Sequence, residues 1–287
     1  TTKSRFNTDR YGMDWLNRMQ WGRWGLMTTG FELKDEEAES TGFDKTVFQW
    51  AWFLQHQLDV TDRLMLIGGV RTLRHNFFGH ETTSEASVSY RVPVTETRLR
   101  ASFSQGFRAP DLNDLFFPNF GNPNLEPEDS ESYEAGIGQD WWEGRLGGEL
   151  TVFRTEVNQL IQAVRISSTV TEAQNINEAE MEGFELEGHL NPGSGLQLSA
   201  SWTYTDAEEE PSKEELVRIP KHVLGLNLDY EFLTRWRLNL NATVVDHREE
   251  SVATNRRERT KGYAKLDAAL TFQATEHLQL YGRIENL

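Results

Sequence analysis

The feature that most constrains this chain is a period-two alternation that recurs along nearly its whole length. Between Trp236 and His247 the even positions carry Trp236, Leu238, Leu240, Ala242 and Val244, and the odd ones Arg237, Asn239, Asn241 and Thr243. Leu224, Leu226, Leu228, Tyr230 and Phe232 alternate in the same way with Gly225, Asn227, Asp229 and Glu231. The segments 196–205 and 264–273 repeat the pattern. Side chains alternate across a strand, so each such segment is a β-strand with one apolar and one polar face.

Runs of this kind predict about fourteen strands, near 11–21, 24–34, 46–58, 63–74, 84–93, 98–106, 131–140, 145–155, 178–190, 195–206, 218–232, 236–248, 262–273 and 278–286. Their connections alternate in length. The short ones are Gly22–Arg23, Asp59–Asp62, Val94–Thr97, Trp141–Gly144, Asn191–Gly195, Leu233–Arg235 and Ala274–His277. The long ones are Asp35–Lys45, His75–Thr83, Phe107–Asp129, Glu156–Asn177, Asp206–Val217 and Arg248–Lys261. An antiparallel meander of this kind gathers every tight turn at one end and every long loop at the other. That segregation is the pattern of a transmembrane β-barrel, with lipid on the apolar face and a polar lumen on the other. A soluble sandwich would bury the apolar face against a second sheet and would not sort its turns so regularly. A hairpin every ~40 residues is also not a propeller blade, which needs four strands in that length.

Composition agrees. The mean hydropathy of −0.61 suits strands that are apolar at every second residue and loops rich in acid. Trp141, Trp142, Tyr204, Tyr230, Phe232 and Trp236 fall near strand ends, where interfacial aromatic girdles belong, although each alone also suits ordinary packing. No stretch approaches the ~18 apolar residues of a membrane helix. Lys plus Arg is 29 against 45 Asp plus Glu, a net charge of −16, which argues against nucleic acid as the partner. The aromatic content is too high for a chain that stays unfolded, and the absence of cysteine removes disulfides, thiolate metal sites and Cys nucleophiles. The chain opens on Thr1 without a signal segment and ends inside an alternating run, and so reads as a stretch of a longer one.

The segment from Phe107 to Glu134 carries a distinctive set of motifs. It contains Phe107-Arg108-Ala109-Pro110, then Asp111-Leu112-Asn113-Asp114-Leu115-Phe116, then Asn122-Pro123-Asn124-Leu125-Glu126-Pro127-Glu128, then Ser130 and Tyr133-Glu134. In this order and spacing the chain resembles the barrel of TonB-dependent outer-membrane receptors. Asn175-Ile176-Asn177-Glu178-Ala179 with Gly183-Phe184-Glu185-Leu186-Glu187 resembles a later strand of that family. Arg218-Ile219-Pro220-Lys221-His222 resembles a strand start, and Gly282-Arg283-Ile284-Glu285-Asn286-Leu287 its penultimate strand. The resemblance runs from about Trp50 to the C-terminus.

The resemblance implies a 22-stranded barrel in the bacterial outer membrane around an N-terminal plug. Residues 1–287 are then a partial barrel, lacking plug, early strands and last strand. It implies uptake rather than catalysis. Loops capture a metal chelate outside, and TonB remodels the plug from the inner membrane. The run from Asn113 to Leu125 is most similar to cobalamin receptors, with ferric siderophore receptors sharing much of it. Haem receptors carry a histidine between the two boxes; residues 111–121 have none, which weighs against haem and leaves His75 or His80 on another loop as the alternative ligands.

The candidate ligand contacts are Arg108, Asn113, Phe116, Phe117 and Phe120. The aromatic rings offer an apolar surface, and Arg108 and Asn113 polar contacts. A plainer reading is that Pro110, Pro118, Pro123 and Pro127, with Asn and Gly at 121–124, simply fix the loop. The acidic runs at Asp35–Glu39 and Asp206–Glu215 offer oxygens to loop Ca²⁺, but neither has the D-x-D-x-D-G spacing of a dedicated site, and solvated surface explains both. Arg248, Arg256, Arg257, Arg259 and Lys261, beside His247, suit lipopolysaccharide phosphates or neutralisation of the acidic loops. The seven histidines show no metal spacing, and no other cofactor is expected. Glu149, Glu185, Glu187, Asp229, Glu231 and Asp267 fall on polar faces, where Arg100, Arg237 and Arg283 are the expected partners. There is no G-x-S-x-G or Walker loop. A passive porin and a secreted β-rich carbohydrate-binding enzyme remain as competing readings.

Overall fold

A computed structural model describes residues 6–40, 42–167, 170–176, 178–253 and 256–287. The strands are β1 (Phe6–Gln20), β2 (Leu26–Ser40), β3 (Asp44–Thr61), β4 (Leu64–His75), β5 (Gly79–Arg91), β6 (Arg98–Arg108), β7 (Glu128–Trp141), β8 (Leu146–Asn158), β9 (Leu160–Arg165) and β10 (Thr171–Ile176). They continue as β11 (Glu178–Gly193), β12 (Leu196–Glu210), β13 (Glu214–Glu215), β14 (His222–Phe232), β15 (Trp236–Val245), β16 (Arg248–Ala253), β17 (Arg256–Thr260), β18 (Tyr263–Thr275) and β19 (Leu278–Ile284). One short helix, α1 (Leu112–Phe116), lies between β6 and β7.

Fourteen of these strands form one antiparallel meander in the order β1 to β8, then β11, β12, β14, β15, β18 and β19. They correspond one for one to the alternating segments. Among the described residues no ladder joins β1 to β19, so each ends the sheet with one free edge.

The register explains why one face is apolar. Leu228 on β14 pairs with Leu198 on β12 and Leu240 on β15, and Leu240 pairs with Ala268 on β18. Leu226 likewise meets Ala200 and Ala242, and Ala242 meets Leu266. Every strand thus turns its apolar set to the same side, where much of it stays exposed: Leu150, Val152, Leu186, Leu226, Val244, Leu266 and Leu270 among others. In water such a surface would aggregate; in a bilayer it is solvated by lipid.

Two aromatic belts bound this surface. At the tight-turn end Tyr230, Phe232, Trp236 and Phe272 stack in series, with centroids 5.5, 6.3 and 4.5 Å apart. Trp141 and Trp142 stand exposed at the β7–β8 turn. At the other end Phe184 meets Trp202 at 4.9 Å and Tyr204 at 5.6 Å, and His222 lies against both. Tyr204 therefore belongs to the long-loop belt. From Leu224, opposite Trp202, to Phe232, β14 supplies nine residues. A tilted strand needs ~9–11 to cross the hydrocarbon.

The long connections differ from expectation. Much of their length is strand rising past the belt: β2 runs on to Ser40, β3 starts at Asp44, β8 reaches Asn158 and β12 reaches Glu210. Phe107 and Arg108 sit on the end of β6, not in the loop, because Arg108 pairs in register with Glu128. The hairpins β9–β10 and β16–β17 and the short β13 fill what remains. These carry polar residues on both faces, as in Thr171-Glu172-Ala173-Gln174-Asn175-Ile176, so no alternation announces them.

The two faces tolerate charge unequally. Leu240→Arg, on the lipid side near mid-span, is expected to destabilise the protein in lipid by about 2–4 kcal/mol, read by urea unfolding. Asn241→Arg, one residue on but facing the lumen, is expected to cost much less.

Candidate functional site

At the long-loop end the segment from Ala109 to Pro127 is built as a compact platform. Asp111 caps α1: its Oδ1 accepts from the Asn113 and Asp114 N–H groups at 2.7 and 2.8 Å, and Asp114 Oδ2 accepts from the Asp111 N–H at 3.2 Å. This reciprocal cap holds a helix of only five residues. Burial, with the Asp111 carboxylate beside it, raises the Asp114 pKa. The chain then folds back, with the Gly121 N–H donating to Phe117 O and the Asn122 N–H to Asp114 O, both at 2.7 Å. Asn122 Oδ1 accepts from the Asn124 N–H at 3.0 Å, the local turn that Asn favours.

The platform rests on an apolar cluster. Leu115 and Leu125 are 3% and 5% exposed and pack with Ala173 of β10, while Phe116, Phe120 and Ile161 close around them. Phe116 also meets Phe43 at 6.3 Å, Phe77 at 5.1 Å and the Lys45 ammonium at 4.9 Å. Phe43 and Phe77 come from the β2–β3 and β4–β5 turns and Lys45 from the start of β3, so Phe116 joins three loops. His75, at the end of β4, stacks on Phe78 at 4.1 Å, and Phe78 meets Phe107 at 6.2 Å.

Arg108 clamps the base of the loop. Its Nε and one terminal nitrogen donate to the two Glu128 carboxylate oxygens at 2.7 and 2.6 Å, and the other terminal nitrogen lies 3.9 Å from Asp114. Glu128 is buried, and its Oε1 also accepts from the Ile161 N–H at 2.7 Å, which ties in the β9–β10 hairpin. This bidentate geometry is available to Arg and not to Lys.

The five candidate contacts thus separate. Phe116 and Phe120 are half-buried inside the platform. Phe117 is 49% exposed, and Asn113 and Arg108 are exposed as well. Of the boxes, Pro110 and Leu125 are buried, Phe107, Ala109 and Asn122 half-buried, and Pro123 and Asn124 exposed. Sequence reading passed over Phe43 and Phe77, which have no motif, and Glu128 as the partner of Arg108. Asn175 was visible only as a motif letter; Asn177 of that motif lies outside the described residues.

The charged loops pair with one another. Arg10 and Lys34 both reach Glu36 at 2.9 Å, so the first acidic run is paired strand rather than free loop. Arg257 approaches Glu214 at 2.9 Å and Glu209 at 3.7 Å; Lys221 meets Asp206 at 3.1 Å and Glu215 at 2.9 Å. Arg218 and Arg248 each lie 3.0 Å from Glu250, whose carboxyl Arg218 chiefly holds below its ordinary pKa. Arg259 bonds His247, and the Arg256 side chain lies outside the described residues. Among the described residues no three His, Asp or Glu side chains converge to hold a metal.

In the lumen Arg100 pairs with Glu149 at 2.8 Å, and Arg237 with Asp229 at 2.9 Å and Glu231 at 3.9 Å, as expected. Asp267 instead takes Lys265 at 2.8 Å, while Arg283 pairs with Glu285 at 2.5 Å. The nearer side chain on the same strand face wins. Glu185 and Glu187 have no ion-pair partner among the described residues.

Gly121 is required by close approach. A Cβ there would lie 2.6 Å from the Phe116 and Phe117 nitrogens. Gly121→Ala is expected to open the platform to limited proteolysis in the folded protein, whereas Gly68→Ala on β4, where a Cβ meets nothing within 4 Å, is not.

A protein-family profile described as "TonB dependent receptor-like, beta-barrel" matches residues 1–287. The chain is 27% identical to a "Vitamin B12 transporter BtuB" of Photobacterium profundum, over 99% of this chain and 47% of that protein. In structure it is similar to "Copper transporter OprC", with a TM-score of 0.83, 17% identity and coverage of 99% of this chain and 52% of that one. The siderophore receptor PirA from Acinetobacter baumannii is similar too, with a TM-score of 0.81, 16% identity and coverage of 99% and 51%. The chain spans about half the length of the relatives it matches.

Proposed function

The chain belongs to the TonB-dependent receptor β-barrel family, and from that premise we propose that its parent protein is an outer-membrane receptor for uptake of a scarce metal chelate, with cobalamin as the ligand. The observation that carries the ligand is the match to a vitamin B12 transporter along 99% of the chain. The mouth supports it. Phe117 and Phe77 present exposed aromatic surface, and Asn113 a neutral polar group. The guanidinium groups of Arg108, at the base of this loop, and of Arg218, Arg248 and Arg257, on later loops, are already paired with carboxylates. A large, largely uncharged ligand suits such a surface better than a polyanion, which would have to break those pairs.

The remaining strands, the plug and the TonB contact belong to the rest of the parent chain in this reading. The long loops capture the ligand, the plug is remodelled by TonB, and the polar lumen passes the ligand inward. The outer wall meets lipid and, above the long-loop belt, lipopolysaccharide. A ferric siderophore is the second reading, favoured by the similarity to the PirA receptor fold.

The test is binding and uptake by the full-length parent, expressed in an outer membrane without its own cobalamin receptor, with labelled cyanocobalamin and a ferric siderophore as competitor. Saturable cyanocobalamin binding unaffected by the siderophore is the expected result. Displacement by the siderophore, or no cyanocobalamin binding, would overturn the ligand. Phe117→Ala is expected to weaken cyanocobalamin binding by roughly tenfold with the barrel still folded. Phe116→Ala and Phe120→Ala are expected to loosen the platform itself, seen as faster proteolysis of the loop.

A further inference from the structure

We propose that Asn175 is a positioning residue that fastens the ligand-facing platform to the β9–β10 hairpin, so that the two open and close as one body. The effect on binding rests on the receptor reading above; the fastening does not. The Asn175 amide sits where two separate segments converge. Its Oδ1 accepts from the Glu126 N–H at 2.9 Å, and its Nδ2 donates to Glu126 O and to Gln159 O, both at 2.8 Å. One side chain thus satisfies both backbone groups of Glu126, as a neighbouring strand would, and spends its second donor on the residue just before β9. Both donors and the acceptor of the amide are used. Asp lacks the donors, Leu lacks all three groups, and Gln places them one methylene further out.

Two more joints lie beside it. The Ala173 N–H donates to Phe120 O at 2.8 Å, and the Ile161 N–H to Glu128 Oε1 at 2.7 Å. Leu115, Leu125 and Ala173 close the gap between them. The platform has only a five-residue helix of its own, so these joints, with the ring contacts of Phe116, set where Phe117 and Asn113 stand. Breaking the central joint frees both partners, because the Glu126 backbone groups and Gln159 O lose their partner together.

The test is amide hydrogen exchange on the full-length parent protein in detergent. In Asn175→Ala, exchange is expected to rise about 10- to 100-fold in residues 112–126 and in residues 160–167 and 170–174 alike, with β14 and β15 unchanged. Asn175→Asp is expected to be no better than the alanine variant. It keeps the acceptor for Glu126 but sets a carboxylate against two carbonyl oxygens, which separates a hydrogen-bonding role from space filling. A rise confined to β9–β10, or full protection in Asn175→Asp, would overturn the proposal.

The unmodified protein gives an answer that needs no variant. The Glu126, Ile161 and Ala173 amides are expected to share one opening free energy; clearly different values would also overturn it. Cyanocobalamin binding is measured alongside and is expected to weaken roughly tenfold in the alanine variant. If the wild-type protein does not bind cyanocobalamin, the ligand assignment fails while the exchange data still decide the fastening.

Discussion

Everything in this chain follows from one constraint: in hydrocarbon, each backbone N–H and C=O must find its partner inside the protein. Fourteen strands meet it by pairing each with its neighbour, from β1 to β19. Only once the backbone is paired can side chains divide into a lipid set and a lumen set, and only a strict two-residue period keeps that division through the Leu198–Leu228–Leu240–Ala268 row. The free edges of β1 and β19 are where the described ladder leaves that requirement unmet.

The wall was legible because lipid imposes its pattern on every spanning residue. All fourteen segments were found, and errors lay at their ends. They lay there for a reason. Above the aromatic belt no lipid selects one face, so β2 continues through Asp35-Glu36-Glu37 and β12 through Glu208-Glu209-Glu210 with acids on both sides. The hairpins β9–β10 and β16–β17 were invisible on the same account. Their pairing comes from backbone hydrogen bonds and docking, not from alternation.

The site was legible as composition but not as geometry. The boxes marked the correct loop, yet nothing in the letters separates Phe116, joined to Phe43 and Phe77, from Phe117, which faces outward. Arg108 offered a polar contact in sequence; in the fold its guanidinium grips Glu128 and shapes the loop base. The two readings of the prolines and asparagines are compatible. A loop rigid enough to present a ligand surface needs most of its residues facing inward, and only a few remain to touch anything else.

The most direct test of the account is a residue-by-residue accessibility scan of β15 in the outer membrane. This chain contributes no cysteine, so single cysteines at positions 237 to 244 report cleanly. The account predicts strict alternation. Positions 238, 240, 242 and 244 should respond to a lipid-soluble probe, and positions 237, 239, 241 and 243 to a water-soluble one. Equal access of the water-soluble probe to both sets would contradict the assignment of the apolar face to lipid, and with it the receptor reading built upon that wall.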